Sequence, residues 1–159
     1  MRRLLSPLRR LRRDARGVSV IEFAFVAPVL VLFLVGIIDA GRAFSAKLTL
    51  DQTVYRALEK AVVGTNDTDY TSILTTEVQN TAGYSSTDVI TVDQWLECDL
   101  NGTHLAYTSN CSSTQQSTRY IQLKVDRQFA PSYSYGRLFL GANSNGKITL
   151  SSTWTVRMQ

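Results

Sequence analysis

The sequence predicts an α+β protein in which a long N-terminal transmembrane and stalk helix precedes a small antiparallel-sheet head. An apolar run covers residues 18–38, and apolar residues then recur at helical spacing to about residue 63. In the second half of the chain, β-branched and aromatic residues alternate with polar ones, which is typical of strands. The 159 residues suffice for one ordinary domain. We therefore expect four segments: an Arg-rich leader (1–17), a transmembrane helix (18–38), an amphipathic continuation (39–63) and an α+β head (64–159).

The positive charge of the chain is concentrated at its N-terminus. Residues 1–17 contain seven arginines and one aspartate, a net charge of +6, whereas residues 18–159 contain ten Lys or Arg and twelve Asp or Glu. The sequence pI of 9.3 therefore comes from a short tail. Nucleic-acid-binding proteins carry their basic residues on a folded face, so this distribution argues against a nucleic-acid partner.

The apolar run has the length of a membrane span. Its 21 residues contain one charge, Glu22, and would form a helix of about 31 Å, close to the roughly 30 Å of a bilayer core. A buried core helix is an alternative, as is a removable signal peptide, whose apolar core would be about 7–15 residues long. The arginines before the run predict a cytoplasmic N-terminus and an exported segment from residue 39 onward.

Three residues within the span need a physical explanation. Glu22 either reaches back to the interface beside Arg16 or marks a paired or recognised site, because a carboxylate is costly in lipid. Pro28 leaves the carbonyl of Ala24 without its helical donor and predicts a kink. Gly36 offers a small surface that a second helix could approach.

The Arg-rich leader ends at a glycine, and the apolar segment that follows contains a glutamate at its fifth residue. The sequence is Gly17-Val18-Ser19-Val20-Ile21-Glu22-Phe23. This order resembles the processing site of type IV prepilins, in which glycine precedes the cut and glutamate is the fifth residue after it. A denser resemblance, over about residues 12–43, is to the TadE-like family of pilin-like (pseudopilin) proteins in bacterial tight-adherence, or Flp, pilus systems. It is carried by Arg13-Asp14-Ala15-Arg16-Gly17, Val20-Ile21-Glu22-Phe23-Ala24, Pro28, Gly36 and Asp39-Ala40-Gly41-Arg42.

The resemblance implies a specific sequence of events in the bacterial inner membrane. A prepilin peptidase would cut between Gly17 and Val18, leaving 142 of the 159 residues. Glu22 and Phe23 would lie in the membrane-embedded recognition and assembly region, where Glu22 pairs with the freed Val18 amine of a neighbouring subunit. The implied partners are other pilin-like subunits and the pilus assembly platform, with the head in the periplasm or in a pilus at the cell surface. Val18 stands where most type IV pilins have phenylalanine.

The head is expected to contain one helix and several strands. A second helix is predicted over 69–81, and strands over 89–96, 119–126 and 147–158. In the middle strand, Ile121, Leu123 and Val125 should share one face. In the last strand the apolar positions are Ile148, Leu150, Trp154 and Val156. A glycine- and tyrosine-containing loop is expected over 130–146.

The two cysteines, Cys98 and Cys111, predict a disulfide, because an isolated pair in an exported chain is usually oxidised. A zinc site with His104 is the alternative, but a fourth ligand is not indicated and the spacing fits no standard zinc pattern. We therefore expect no metal and no cofactor.

We also expect no catalytic residue and no small-molecule substrate, since the chain has one histidine and no nucleophile or phosphate-loop motif. Two functions are compatible with these features: a processed pilin-like subunit, or an uncleaved membrane-anchored binding or sensory module. The mature amino terminus distinguishes them.

Overall fold

The computed structural model describes residues 16–64, 70–81, 83–100, 102–132 and 141–158, with side chains from residue 20 onward. The chain forms two compact units, Met1–Ala40 and Gly41–Gln159. Residues 1–15 of the expected leader, part of the expected 130–146 loop and the connection at 65–69 lie outside the described residues.

The first helix, α1 (Arg16–Gly64), is 49 residues long and confirms the helix predicted from residue 18 to residue 63. Within the described part of the chain, it is the one helix whose length and composition would allow it to cross a membrane, with a mean hydropathy of 2.7 in its most apolar stretch. None of that stretch is buried inside the protein. The apolar half of α1 therefore fits a single-pass membrane anchor better than a core helix.

The second unit contains a short helix and a four-stranded antiparallel sheet. The elements are α2 (Tyr70–Gln79), β1 (Val89–Cys98), β2 (Leu105–Ala106), β3 (Ser117–Phe129) and β4 (Ile148–Met158), with the strands in the order β2-β1-β3-β4. The predicted α+β class, the second helix and the three long strands are confirmed. The β2 strand was not predicted, because two residues carry no detectable alternation.

The core of this unit lies between the second half of α1, α2 and one face of β3. Leu50, Val54, Leu58 and Ala61 recur every three or four residues on α1, so they share one helical face, and all are buried. The middle strand contributes its alternate positions, as predicted. The buried cluster also contains Ala57, Tyr70, Leu74, Val78, Ile121, Leu123 and Val125.

A polar clip joins α1 to β4 beside this core. Lys47 Nζ lies 2.6 Å from Asp51 Oδ1 and donates a second hydrogen bond of 2.6 Å to the Ser151 carbonyl. Partial burial disfavours the charged Asp51 carboxylate, but the Lys47 hydrogen bond and charge, together with the nearby Ser152 side chain, outweigh it and lower the pKa of Asp51. The clip therefore favours the ionised form of this residue in the folded protein.

Candidate processing and subunit-contact surfaces

Gly17 and Val18 lie in the first turn of α1. The first four N–H groups of a helix have no partner inside it, so this turn is the easiest part of α1 to unwind. Glycine weakens the turn further, because it loses more conformational freedom in a helix than any other residue. A protease that needs an extended chain would therefore meet little resistance at Gly17. Cleavage at this bond stays a prediction.

Glu22 and Phe23 occupy an unburied, apolar part of α1. Phe23 is 67 % exposed, and Phe25 and Val26, one turn beyond Glu22, are also exposed. Among the described side chains, Glu22 makes no hydrogen bond or ion pair. A carboxylate at mid-membrane costs about 2.5–3.5 kcal/mol and less near the interface, so a partner from outside this chain would be stabilising. The Arg16 side chain lies outside the described set, so both interpretations of Glu22 stay open.

Pro28 and Gly36 also lie within α1, which continues on both sides of each residue. A Cβ atom added at Gly36 would meet nothing within 4 Å. The small size of this residue is therefore not required by packing inside the protein. It leaves a surface on which a second helix could pack closely, as small residues do in membrane helix pairs.

A groove between the end of α1 and β4 exposes aromatic side chains in the second unit. The Tyr55 and Trp154 rings meet edge to face, with centroids 5.8 Å apart and an interplanar angle of 74°. Tyr55 is 55 % exposed and Trp154 is 45 % exposed. The groove encloses about 220 Å³, and we call it the α1–β4 groove; it is lined by Tyr55, Leu58, Glu59, Val62, Val63, Trp154, Thr155 and Val156.

Among the described strands, β4 forms one edge of the sheet, so the groove lies beside backbone groups that no described strand pairs. An exposed aromatic pair next to an open strand edge is a feature of surfaces that contact other proteins. Sequence reasoning placed Trp154 at an apolar position of the last strand but did not predict its exposure. The periodicity of apolar residues shows which side chains share one face of a helix or strand, but it does not show whether another element covers that face.

The predicted disulfide between Cys98 and Cys111 is present, with the two Cα atoms 5.7 Å apart. Cys98 ends β1, and the next two residues, Asp99 and Leu100, turn the chain with φ of 58° and 54°. Asp99 is held at the turn by a pair of hydrogen bonds with the backbone of Gln116, of 2.8 Å and 2.9 Å. The disulfide therefore closes the loop at the end of the β1–β3 pair.

His104 lies in this loop, and the two cysteine sulfurs are bonded to each other. Its Nε2 is 3.5 Å from Glu97 Oε1, and its ring stacks on Trp95 at a centroid distance of 4.4 Å. Within the described ranges, no group of three His, Cys, Asp or Glu side chains is placed to hold a metal ion.

Comparison with known proteins gives one match, to the family model described as TadE-like protein, over residues 17–58. No curated protein and no solved structure matches the chain. The matched segment includes Gly17, Val18, Glu22, Phe23 and Gly36, and it confirms the resemblance predicted from these residues. It ends within α1, so α2 and the whole sheet lie outside it.

Proposed function

We propose that this chain, whose residues 17–58 are TadE-like, is a pilin-like subunit of a bacterial tight-adherence (Flp) pilus system. The observation that carries the proposal is the position of Glu22, five residues after Gly17 in an unburied apolar helix inside the matched segment. A TadE-like protein with a candidate membrane helix is suited to associate with pilus components at the membrane. In this proposal the chain acts as a structural component and catalyses no reaction.

The first step is removal of the leader by a prepilin peptidase. The arginines hold residues 1–17 on the cytoplasmic side of the inner membrane, and the segment from residue 39 onward is exported. The peptidase then cuts the bond between Gly17 and Val18. The weakly held first turn of α1 supports this step, because the chain must become extended around the cut.

The second step is assembly through the new amino terminus. The Val18 amine of one subunit pairs with the Glu22 carboxylate of its neighbour, which offsets the cost of placing either charge in lipid. The unburied, apolar surroundings of Glu22 in α1 support this pairing. Phe23 and Gly36 lie on the exposed helix surface, and the α1–β4 groove supplies a second contact surface in the head.

The processing step is tested by the mass of the protein from membranes of cells that contain a prepilin peptidase. The wild-type chain should begin at Val18. Gly17→Leu should keep its leader, because a bulky side chain would occupy the place of a residue that has none. Gly36→Leu is the matched control: it replaces a glycine of the same helix and should still be cut. A wild-type chain that keeps residues 1–17 would contradict the proposal and favour the uncleaved anchored module.

The assembly step is tested by crosslinking the variant to other pilin-like subunits in membranes. Glu22→Leu makes the span more apolar, so insertion should be unchanged or improved. Crosslinking to neighbours should nevertheless be lost, because the Val18 amine then has no carboxylate. Glu22→Asp keeps the charge and should restore part of the signal. Wild-type crosslinking by a stably inserted Glu22→Leu protein would show that no such pair forms.

A further inference from the structure

The face of the sheet that points away from the core carries an ordered set of polar side chains. Asp93 of β1 is registered opposite Gln122 of β3, and Gln122 is registered opposite Thr155 of β4. These three side chains therefore form one row across three neighbouring strands. Strands lie about 4.8 Å apart, so the row is about 10 Å long.

The next row along the strands consists of Trp95, Tyr120 and Arg157. Trp95 is opposite Tyr120, their rings stacking at 5.5 Å, and His104 stacks on Trp95 at 4.4 Å. The two rows form a trough of about 580 Å³, which we call the outer trough; it is lined by Asp93, Gln94, Trp95, His104, Leu105, Ala106, Gln122 and Thr155. The polar row forms its floor. Trp95 lies between the stacked rings of His104 and Tyr120, so the wall consists of the edge of this stack and the outer face of His104.

The wall is held in position by Glu97. The Trp95 indole Nε1 donates a hydrogen bond of 3.0 Å to Glu97 Oε1, and His104 Nε2 lies 3.5 Å from the same oxygen. Strand β2 pairs with β1 at Trp95 and Leu96, which fixes the loop that carries His104. A ligand that entered the trough would therefore not have to order these rings, which reduces the entropic cost of binding.

The floor offers both donors and acceptors. Gln122 Nε2 donates to Thr155 Oγ1 at 2.9 Å, which leaves the Gln122 carbonyl oxygen, its second N–H and the Thr155 hydroxyl hydrogen available. Asp93 is exposed and makes no hydrogen bond or ion pair within the part of the chain that the structure describes. A carboxylate, an amide and a hydroxyl therefore face the same trough.

We propose that the outer trough binds a saccharide, with the sugar hydroxyls on Asp93, Gln122 and Thr155 and a sugar ring on the exposed face of His104, which ends the ring stack. A hydroxyl group both donates and accepts hydrogen bonds, so adjacent sugar hydroxyls complement this mixed floor. The C–H face of a sugar ring complements the electron-rich face of an aromatic ring. The ligand is bound and not converted.

Other ligand classes fit the trough less well. No lysine or arginine lines it. Lys124 and Arg157 of the adjoining rows bond to Asp126 and Thr118, so a phosphate in the trough would meet the Asp93 carboxylate at its floor. One carboxylate does not make a cation site. The mainly polar floor also differs from the apolar centre of a typical protein–protein contact. The trough lies outside the TadE-like segment, so the inference does not depend on processing or assembly.

The test measures binding of soluble oligosaccharides to the full chain in lipid nanodiscs. The protein has two tryptophans, so Trp154→Phe leaves Trp95 as the one fluorescent indole. The probes are cellotetraose, maltotetraose, mannotetraose and N-acetylchitotetraose. At least one should change Trp95 fluorescence saturably, with a dissociation constant of about 1 mM or below. No saturable change with any of the four would overturn the proposal.

Variants of the floor give the second readout, by calorimetric titration with the responding probe. Asp93→Ala should weaken binding about 10-fold or more, as expected for one charge-assisted hydrogen bond, and Gln122→Ala should also weaken it. Thr91→Ala, one position further along the same face of β1, is the matched control and should bind normally. If Asp93→Ala is poorly folded by circular dichroism, Asp93→Asn removes the charge without changing the shape.

Two outcomes would assign the surface differently. Unchanged affinity in both floor variants would place the saccharide elsewhere and overturn the proposal. Self-association of the chain that Asp93→Ala abolishes, without any oligosaccharide response, would make the trough a contact between copies and would equally overturn it.

Discussion

Replacing both cysteines with alanine tests how much the head depends on its crosslink. In the Cys98→Ala/Cys111→Ala protein the loop between the two positions is free in the unfolded state. The cysteines are 13 positions apart, so the crosslink closes a 14-residue loop. The chain-entropy relation then gives a loss of about 3 kcal/mol in the free energy of unfolding. Alanine is preferred to serine because residue 98 is 6 % exposed and a hydroxyl there would need a partner.

The loss should appear as a lower midpoint in urea unfolding of the full chain in nanodiscs, followed by tryptophan fluorescence at pH 7. For a unit the size of Gly41–Gln159, about 3 kcal/mol corresponds to roughly 10–15 °C in Tm. Wild-type protein unfolded under reducing conditions is the matched control and should coincide with the double variant. Alkylation without reduction should label neither cysteine. A loss below about 1 kcal/mol, or free thiols in exported protein, would refute the reasoning.

Three further predictions concern the core, the polar clip and the α1–β4 groove. Leu74→Ala should cost about 2–5 kcal/mol in urea unfolding, because Leu74 is fully buried; a loss below 1 kcal/mol would contradict this packing. Asp51→Asn should make Tm less sensitive to acid. The pKa of Asp51 is lowered in the folded protein, so its ionised form stabilises wild type above the ordinary Asp pKa of 3.8, and this stabilisation is lost as the pH falls through the folded-state pKa. Identical pH profiles of Tm for the two proteins would argue against the Lys47 contact. Tyr55→Ser/Trp154→Ser should reduce subunit crosslinking and lower stability by a few kcal/mol, because each side chain buries about half of its surface in addition to the ring pair; unchanged crosslinking would remove the groove from the proposed contacts.

The parts of the fold that repeat locally were predictable from the sequence. The apolar run and the spacing of Val54, Leu58 and Ala61 predict α1, because the helical repeat of apolar residues is visible within two turns of sequence. Alternation of Ile121, Leu123 and Val125 defines β3 and its buried face in the same way. The disulfide followed from two cysteines with no competing partner.

The outer trough could not be predicted from sequence, because it depends on strand register. Asp93, Gln122 and Thr155 are far apart along the chain and become neighbours only when β1, β3 and β4 pair as they do. His104 was predicted to be a loop residue, and its stacking on Trp95 depends on the short β2 strand, which has no sequence signal. The exposure of Trp154 depends on β4 being an edge strand, which alternation alone does not determine.

The distance along the chain between packing partners sets an order on biosynthesis. Leu50 precedes Ile121, a member of the same core, by 71 residues, whereas 13 positions separate the two cysteines. A growing chain that has reached residue 116 already contains everything the crosslink requires, but β3 does not yet exist. The part of the apolar α1 face that β3 covers is therefore still exposed when the loop can already close, and the short loop closes at a smaller entropic cost. The disulfide can form as soon as residue 111 is in an oxidising compartment, whereas Leu50 becomes fully buried only after β3 has been added.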